Sequence, residues 1–471
     1  MAALLAFYEY TGEKKYFDAA KRAVDYTISR YVTTGKTYFQ QPKPNGGGLT
    51  HGLMYCETLE WMYRITGDRK YFDFAEWLYK DYSEAEPKLK NVDNQLDNLL
   101  DKDRPFLEHS VHVAEHLRVV FWLAAMSDNK DYKIAVENIF YKLKNSQSPT
   151  GIMVMDPKIH ESVAGNFGSP WLPYEYCTIV ESVISQSSAM QKFRISSLGD
   201  AIENVMFNAG QGARLPDGKA ISYATLDNRF KALESDNFRY QVAACHKTAC
   251  CNLQAAKLMA HYVSNMWMRN EDDKGIALAL YGESEVNTRI NGVNVNIKES
   301  TDYPFDNRVS IIVSPEESVD FILTLRNPEW SENTIVKVED ADIKKEDGWI
   351  VINKKWKAGD RVELEFDDKI HARKFINNEI YFQKGCLIYA VPVKEKMIPT
   401  KTFDGGYSNY DVLPADSVEM NVVYEKLKLQ PNIDNPLRYN VKPYGFSLNP
   451  DFNPEYPYDK PYGFINVKFL Q

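Results

Sequence analysis

The spacing of apolar residues changes once along the chain, near Gly275. Before that point apolar residues recur three or four positions apart, the spacing of helices with one buried face. Beyond it, short β-branched runs such as Val309–Val313 and Val319–Leu325 alternate with polar residues and are separated by turn sequences. We therefore predict a helical region followed by an antiparallel β-sandwich. The later helices are expected at roughly 107–126, 132–144, 174–192, 196–208 and 250–268.

A short motif repeated in the first third of the chain predicts that the helices occur in pairs. Residues 10–18 read YTGEKKYFD, residues 65–73 read ITGDRKYFD, and residues 126–132 form a fainter copy. Each copy ends one helix, turns at Gly or Asp and begins the next helix. The copies lie about 55 to 60 residues apart, which is room for two helices and two loops. This interval is typical of an α/α toroid and of an α-solenoid, and the repeat alone leaves both open.

At 471 residues the chain is too long for a single hydrophobic core, so we expect several domains. The helical pattern predicts an α/α domain over residues 1–272. The strand pattern predicts a β-sandwich domain over 273–400. Residues 401–471 are rich in Pro, Tyr, Asn and Asp, and we expect a β-rich or extended segment there.

Composition narrows the possible partners and the compartment. The net charge is −9 and no basic stretch stands out, which argues against nucleic acid or an anionic membrane surface as a partner. No apolar run is long enough to span a membrane. Six cysteines are too few for a disulfide framework, and no signal peptide is visible. We expect a cytoplasmic protein or, if a signal peptide has been removed, a periplasmic one, with its oligomeric state left open.

Four of the six cysteines fall in two short segments, Tyr174–Cys177 and Cys245–Cys251. Zinc binds Cys thiolates and carboxylate oxygens in tetrahedral sets, so Glu175, Cys177, Cys250 and Cys251 could form one complete site. The alternative is that these cysteines are small buried apolar residues. Cys245-His246 is a second possible ligand pair nearby. The two remaining cysteines, Cys56 and Cys386, are interpreted as structural.

Other polar residues are candidates for acid/base chemistry or for sugar binding. Glu161 lies in a loop upstream of Glu175, where it could act as a general acid/base or be a solvated loop residue. Histidines cluster at His109, His112 and His116, without the H-E-x-x-H pattern of a zinc protease. Contacts with sugar hydroxyls and ordinary packing are both possible for them. The aromatic content of 13% suits stacking on sugar rings and suits an ordinary core equally well.

Taken in order, several segments resemble glycoside hydrolase family 127, the β-L-arabinofuranosidase-like proteins, from about residue 1 to about residue 395. The segments that carry this resemblance are the Thr-Gly-Asp/Glu repeats, His51-Gly52, Glu108–Val111, Glu175–Cys177, Phe207–Ala209, Ser222-Tyr223, Cys250-Cys251 and Leu325–Trp330.

The resemblance implies an (α/α)6-type toroid followed by an antiparallel β-sandwich, and a site within the toroid. It implies Zn²⁺ held by Glu175, Cys177, Cys250 and Cys251, with Cys250 as the nucleophile and Glu161 as the general acid/base. His51, His109 and Tyr223 fall where relatives contact the sugar. The reaction implied is a retaining double displacement on arabinofuranose-like residues of glycans, with sulfur in place of the usual carboxylate. The alternative is a non-catalytic carbohydrate-binding relative of the same fold.

Three features of the sequence depart from the family pattern. The family's first helices have no counterpart here, so we expect the toroid to be incomplete or the sequence to be a fragment. Gln254 stands where relatives have Asn after the Cys pair. The stretch from Glu161 to Glu175 is shorter than usual, and His160 precedes Glu161 where relatives often have Gly.

Overall fold

A computed structural model describes most of the chain up to residue 415 and three short segments beyond it. The described residues are 1–40, 51–86, 92–157, 172–214, 220–227, 232–233, 250–269, 274–375, 380–390, 395–404, 406–415, 431–432, 435–439 and 442–443. The chain divides into two compact units, the first comprising Met1–Ser146 with Asp156–Ser162 and the second Gln147–Met155 with Val163–Gln471.

The first unit is helical. A 3₁₀ turn, Gly52–Met54, leads into the helix Tyr55–Thr66, and the helices predicted at 107–126 and 132–144 are both present. Within the described residues, the helices of this unit are Ala2–Thr11, Lys14–Thr34, Tyr55–Thr66, Lys70–Ser83, Leu96–Leu100, Ser110–Met126 and Lys130–Ser146.

The repeated motif forms the turn between two helices, as predicted. Gly12 and Gly67 end their helices in the left-handed conformation, with φ of 70° and 67°, which a residue without a Cβ adopts at low cost. The hydroxyls of Thr11 and Thr66 accept the backbone N–H two residues further on, at 3.1 Å in both copies. The fainter copy lacks the glycine, and there the helix ends at Ser127 in an extended conformation.

The second unit begins with helices and continues into sheets. Its long helices are the Cys177 helix, Tyr176–Phe193, and the Cys250 helix, Cys250–Ser264, which pack against each other. Ser197–Asn204 also packs on the Cys177 helix and continues through a π-helical turn, Val205–Ala209. The predicted helices at 174–192, 196–208 and 250–268 correspond to these elements.

Three sheets of four or five strands follow, and two further strand pairs lie beyond them. In spatial order the first sheet consists of Asp342–Glu346, Trp349–Trp356, Val319–Arg326, Gly275–Leu278 and Trp267–Arg269. The second consists of Ser284–Ile290, Val293–Ser300, Arg308–Pro315, Asp360–Glu365 and Ile335–Lys337. The third consists of Ile370–Lys374, Ile380–Lys384, Leu387–Ala390 and Lys442–Pro443. The pairs are Glu395–Thr402 with Ser408–Pro414 and Pro431–Asn432 with Asn435–Tyr439.

Strand direction differs from the prediction at one place. Gly275–Leu278 pairs in parallel with Val319–Arg326, with Ile276 opposite Leu323, so the first sheet is mixed rather than wholly antiparallel. Alternation of apolar residues reports which face of a strand is buried and carries no information about its direction. The strand Asp342–Glu346 was not predicted, because all five of its residues are exposed and it lies at a sheet edge.

A buried ionic network joins the helical part of the second unit to its first sheet. The Arg326 side chain, at the end of its strand, is fully buried and forms ion pairs with Asp200 and Glu203 of the Ser197–Asn204 helix. The Tyr303 hydroxyl and the Tyr281 backbone N–H both donate hydrogen bonds to the Glu203 carboxylate, the latter at 2.9 Å. Removal of one partner would leave buried charge uncompensated, so the network fixes helix and sheet together.

Within the described residues, no helix combines the length and the apolar character that crossing a bilayer requires.

Burial of Glu299 predicts a stability that falls as pH rises. Burial raises the pKa of this fully buried carboxyl from 4.5 to about 8, against hydrogen bonds from Ser284 and the Gly282 N–H. The folded state therefore retains a proton that the unfolded state releases, and stability falls between about pH 5 and pH 8, by a few kcal/mol in order of magnitude. Glu299→Gln keeps the shape without the charge and should flatten this fall, measured as urea unfolding free energy against pH.

The exposed Glu317 provides the control, because Glu317→Gln removes the same charge from the surface. Equal pH dependence in the wild type and in Glu299→Gln would contradict the prediction.

Candidate active site

A short strand pair fixes the entry to the Cys177 helix. Tyr174 and Glu175 pair with Thr225 and Ala224, and the Tyr176 N–H donates to the Tyr223 carbonyl at 3.1 Å. The chain turns from strand to helix at Tyr176, so Glu175 lies just before the helix and Cys177 in its first turn. The Cys250 helix begins at the cysteine pair itself.

The starts of these two helices bring three sulfurs and a carboxylate together. The Cys177 and Cys251 sulfurs lie 3.1 Å apart, and the Cys250 and Cys251 sulfurs 3.9 Å apart. The Glu175 Oε1 atom lies 3.2 Å from the Cys251 sulfur and 3.8 Å from the Cys250 sulfur. All four donor atoms lie within 4.8 Å of one another. None of the five described cysteines forms a disulfide.

The donor set fits a tetrahedral metal ion. Three thiolates and one carboxylate are ligands that zinc accepts, and four donors at zinc distances lie about 3.5 to 3.8 Å from one another. The two distances from the Cys250 sulfur, 3.9 Å to Cys251 and 3.8 Å to Glu175, match this separation. At the two shorter distances, 3.1 and 3.2 Å, binding of zinc would require the donor atoms to move apart by about half an ångström. Such a shift is within the reach of side-chain rotation.

Hydrogen bonding among the thiols distinguishes Cys250 from its two neighbours. Donation from the Cys177 and Cys251 thiols lowers the pKa of Cys250. The hydrogen bond with Cys250 raises the pKa of Cys177. The hydrogen bonds with Cys177 and Cys250 raise the pKa of Cys251. Cys250 is also the most exposed of the three, since Cys177 and Cys251 are buried. Both the direction of its pKa shift and its exposure set Cys250 apart from the other two cysteines.

Tyr223 lies beside this cluster and directly precedes the strand Ala224–Thr225, which pairs with Tyr174 and Glu175. Burial raises the pKa of the half-buried Tyr223 hydroxyl, and the nearby charges of Glu175, Cys251, Cys250 and Cys177 act in the same direction. The hydroxyl thus stays protonated and can donate a hydrogen bond to an oxygen placed near the sulfurs.

The predicted histidines form a second group, in the first unit. His51 Nδ1 lies 3.0 Å from a Glu115 oxygen, and His109 Nδ1 lies 2.9 Å from an Asp156 oxygen. The His112 ring packs edge-on against both, with centroids 4.7 Å from His51 and 4.9 Å from His109. A carboxylate therefore orients each of the two histidines that the resemblance assigns to sugar contact.

Burial and hydrogen bonding set the charges of this group. Burial lowers the pKa of His112 to about 3, so its ring is neutral near pH 7. Burial opposes ionisation of Glu115, yet hydrogen bonds from His116 and His51 lower its pKa to about 2. Glu115 is thus a buried carboxylate that holds the ring nitrogens of two histidines. Donor atoms of His51, His112 and Glu115 also lie close enough together to hold a cation.

Several site residues escaped the sequence analysis, and others fall outside the described residues. Glu115 and Asp156 carry no sequence signal, because each meets its histidine across a separation of 64 or 47 residues. Glu161, predicted as the acid/base, lies outside the described residues, as does the Cys245-His246 pair. Cys56 and Cys386, interpreted as structural, are both buried away from the cluster.

Comparison with protein families shows that the chain is a glycoside hydrolase. It belongs to glycoside hydrolase family 127, the β-L-arabinofuranosidases: the model of the family's catalytic domain matches residues 1–264 and that of its middle domain matches residues 275–368. No curated protein was found that matches the chain. The domain limits that we place at 272 and 400 stay predictions.

Solved structures agree on the fold. A GH127 β-L-arabinofuranosidase from Geobacillus stearothermophilus T6 is 19% identical, with a TM-score of 0.65 over 84% of this chain and 68% of that one. A structure described as a glycoside hydrolase is 17% identical, with a TM-score of 0.66 over 93% and 78%. A GH127 β-arabinofuranosidase is 17% identical, with a TM-score of 0.63 over 87% and 72%. These likenesses confirm the predicted fold class, a helical toroid followed by antiparallel β-structure.

The cluster geometry predicts metal binding that depends on Cys177. Cys177→Ser replaces a soft thiolate by a weakly acidic hydroxyl, so the bound metal should fall well below the wild-type content, measured by elemental analysis of purified protein. Cys386→Ala removes a buried cysteine outside the cluster and should leave the metal content unchanged. A wild-type protein that binds no metal while its circular dichroism shows a folded chain would contradict the prediction.

Proposed function

We propose that the protein is a retaining glycoside hydrolase in which zinc-bound Cys250 is the nucleophile and arabinofuranose-like residues of glycans are the substrate. The observation that carries the proposal is the meeting of three cysteine sulfurs and the Glu175 carboxylate within 4.8 Å. Glu175, Cys177, Cys250 and Cys251 would hold the metal. The bound ion would keep the thiols deprotonated near neutral pH, where a free thiol is mostly protonated.

Exposure selects Cys250 as the reacting sulfur. Cys177 is 2% exposed and Cys251 is fully buried, whereas Cys250 is exposed and has the lowered pKa of the three. A nucleophile must reach the anomeric carbon of a bound sugar, and among these three sulfurs only that of Cys250 has such access.

The chemistry then proceeds as a double displacement. The Cys250 sulfur forms a bond to the anomeric carbon while the bond from that carbon to the leaving oxygen breaks, and Glu161 gives its proton to that oxygen. In the second step Glu161 takes a proton from water, the water oxygen bonds to the anomeric carbon, and the sulfur leaves as a thiolate. Two inversions at one carbon retain its configuration. The role of Glu161 rests on the family resemblance.

Substrate contacts are assigned to His51, His109 and Tyr223. Tyr223 lies beside the cluster with a protonated hydroxyl, and carboxylates fix the ring nitrogens of both histidines. Oriented donors of this kind suit sugar hydroxyls. Arabinofuranose is proposed because the family and two similar structures bear the name of that activity.

Replacement of Cys250 separates catalysis from folding. Cys250→Ala should abolish turnover of aryl β-L-arabinofuranoside, because the other two sulfurs of the cluster are buried, while circular dichroism stays unchanged. Cys56→Ala, at a buried cysteine away from the cluster, serves as the control and should retain activity. A panel of other aryl glycosides identifies the preferred sugar. Sugar binding by the wild type without turnover of any of them would support the non-catalytic alternative.

Replacement of Glu161 tests the acid/base role. Glu161→Gln should slow turnover by about two to four orders of magnitude, the usual contribution of a general acid/base. The loss should be smaller for an aryl leaving group of low pKa, which needs little protonation, and azide should restore the second step. Undiminished turnover of a poor leaving group would remove Glu161 from the mechanism.

A further inference from the structure

A hydrogen bond joins the two cysteine-bearing helices just beyond the cluster. The Gln254 side-chain N–H donates to the Glu181 carboxylate at 2.6 Å. Glu181 lies four residues after Cys177, and Gln254 lies four residues after Cys250, so each residue is on the same face of its helix as the sulfur one turn earlier. We propose that Glu181 and Gln254 are positioning residues that set the distance between Cys177 and the Cys250–Cys251 pair. This inference rests on the proposed metal site and assigns residues that support it.

Two contacts one turn apart constrain the helices more tightly than either would alone. The Cys177 and Cys251 sulfurs lie 3.1 Å apart in the first turn, and the Glu181–Gln254 bond follows in the second, about 6 Å along the axis. Both contacts point from one helix to the other, so together they fix rotation as well as sliding. A rotation of either helix about its axis would separate the sulfurs and break the amide–carboxylate bond together.

Burial makes this bond costly to lose. Glu181 is 3% exposed, and hydrogen bonds to a charged acceptor are among the stronger ones in proteins. A buried carboxylate deprived of a donor favours a new arrangement of the helices that brings in water or another donor. The thiols next to it would then shift relative to one another, and a metal site tolerates changes of only a few tenths of an ångström in its ligand distances.

The same helix pair offers a matched control. Gln191 donates a side-chain hydrogen bond to Asn265 near the other end of the two helices, with the same amide donor and a carbonyl acceptor. Gln191 lies 14 residues after Cys177, about 21 Å along the helix. Loss of this bond therefore tests helix packing without disturbing the first two turns.

Zinc affinity, measured by competition with a chromophoric chelator, tests the proposal. Gln254→Leu and Glu181→Leu should weaken Zn²⁺ binding about tenfold to a hundredfold, the usual effect of supporting residues around a metal. With Co²⁺ the same variants should lose intensity in the sulfur-to-cobalt charge-transfer band and in the tetrahedral d–d bands. Glu181→Gln, which keeps shape and an acceptor oxygen, should restore most of the affinity, and Gln191→Leu should bind as the wild type does.

Two results would overturn the proposal: wild-type Zn²⁺ affinity and Co²⁺ spectrum in folded Gln254→Leu, or an equal loss in Gln191→Leu. If the leucine variants do not fold, Glu181→Asp decides, because it shortens the side chain by one methylene and should weaken Zn²⁺ binding while the protein folds. Unchanged affinity in that variant would also overturn the proposal.

A metal-free readout separates this inference from the proposed function. Diamide should react first at the exposed Cys250 sulfur and link Cys177 to the Cys250–Cys251 pair of the metal-free wild type by a disulfide, detected by mass spectrometry of linked peptides. Gln254→Leu should slow this cross-link about tenfold. If the wild type binds neither Zn²⁺ nor Co²⁺, the metal part of the proposed function fails, and the cross-linking rate alone tests the positioning role. A slower rate in Gln254→Leu supports that role, and an unchanged rate overturns it.

Discussion

The candidate site depends on two helices that begin at the same place. Helix N-termini carry unpaired N–H groups and partial positive charge, which favour anions and lower thiol pKa values. Here the Cys177 helix and the Cys250 helix both open on cysteines, and Glu175 directly precedes the first of them. Three thiols and a carboxylate in a largely buried place would repel one another once ionised. Two converging helix starts offset part of that repulsion, and a cation bound as proposed above would offset more of it.

The second unit buries another pair of acidic side chains, and there an arginine compensates their charge. Asp200 and Glu203 are compensated by the fully buried Arg326, which reaches the Ser197–Asn204 helix from the end of a strand. That helix packs on the Cys177 helix. The sheet therefore supports the Cys177 helix through one intermediate helix, and here a guanidinium supplies the compensating charge. A guanidinium is always protonated, so this connection holds at any pH at which the acids are ionised.

Sequence reasoning reached the parts of this structure that local pattern encodes. Thr11-Gly12 and Thr66-Gly67 predict helix ends because a left-handed turn requires glycine, and both ends lie there. Cys177 and the Cys250–Cys251 pair could be grouped because thiolates share a preference for soft metals. The parallel pairing of Gly275–Leu278 could not be predicted, since period-two alternation is the same in either direction.

Residues that come into contact only in the folded chain could not be paired from the sequence, for a different reason. Glu115 meets His51, and Glu181 meets Gln254, across 64 and 73 residues, and a single carboxylate or amide has no pattern of its own. Only a motif that repeats, or a rare residue type that clusters, leaves a trace in one sequence.

The three sulfurs of the cluster have the same chemistry but differ in solvent exposure, and the two properties together determine what each sulfur can do. All three cysteines can bind a soft cation, and burial removes Cys177 and Cys251 from contact with any sugar. A fully buried set of four ligands would be a structural metal site, closed to substrate. Under the proposed function an exposed Cys250 changes this, because its sulfur would be accessible to the anomeric carbon of a bound sugar. The exposure of one of the four donor groups is thus the structural feature on which the proposed nucleophile depends.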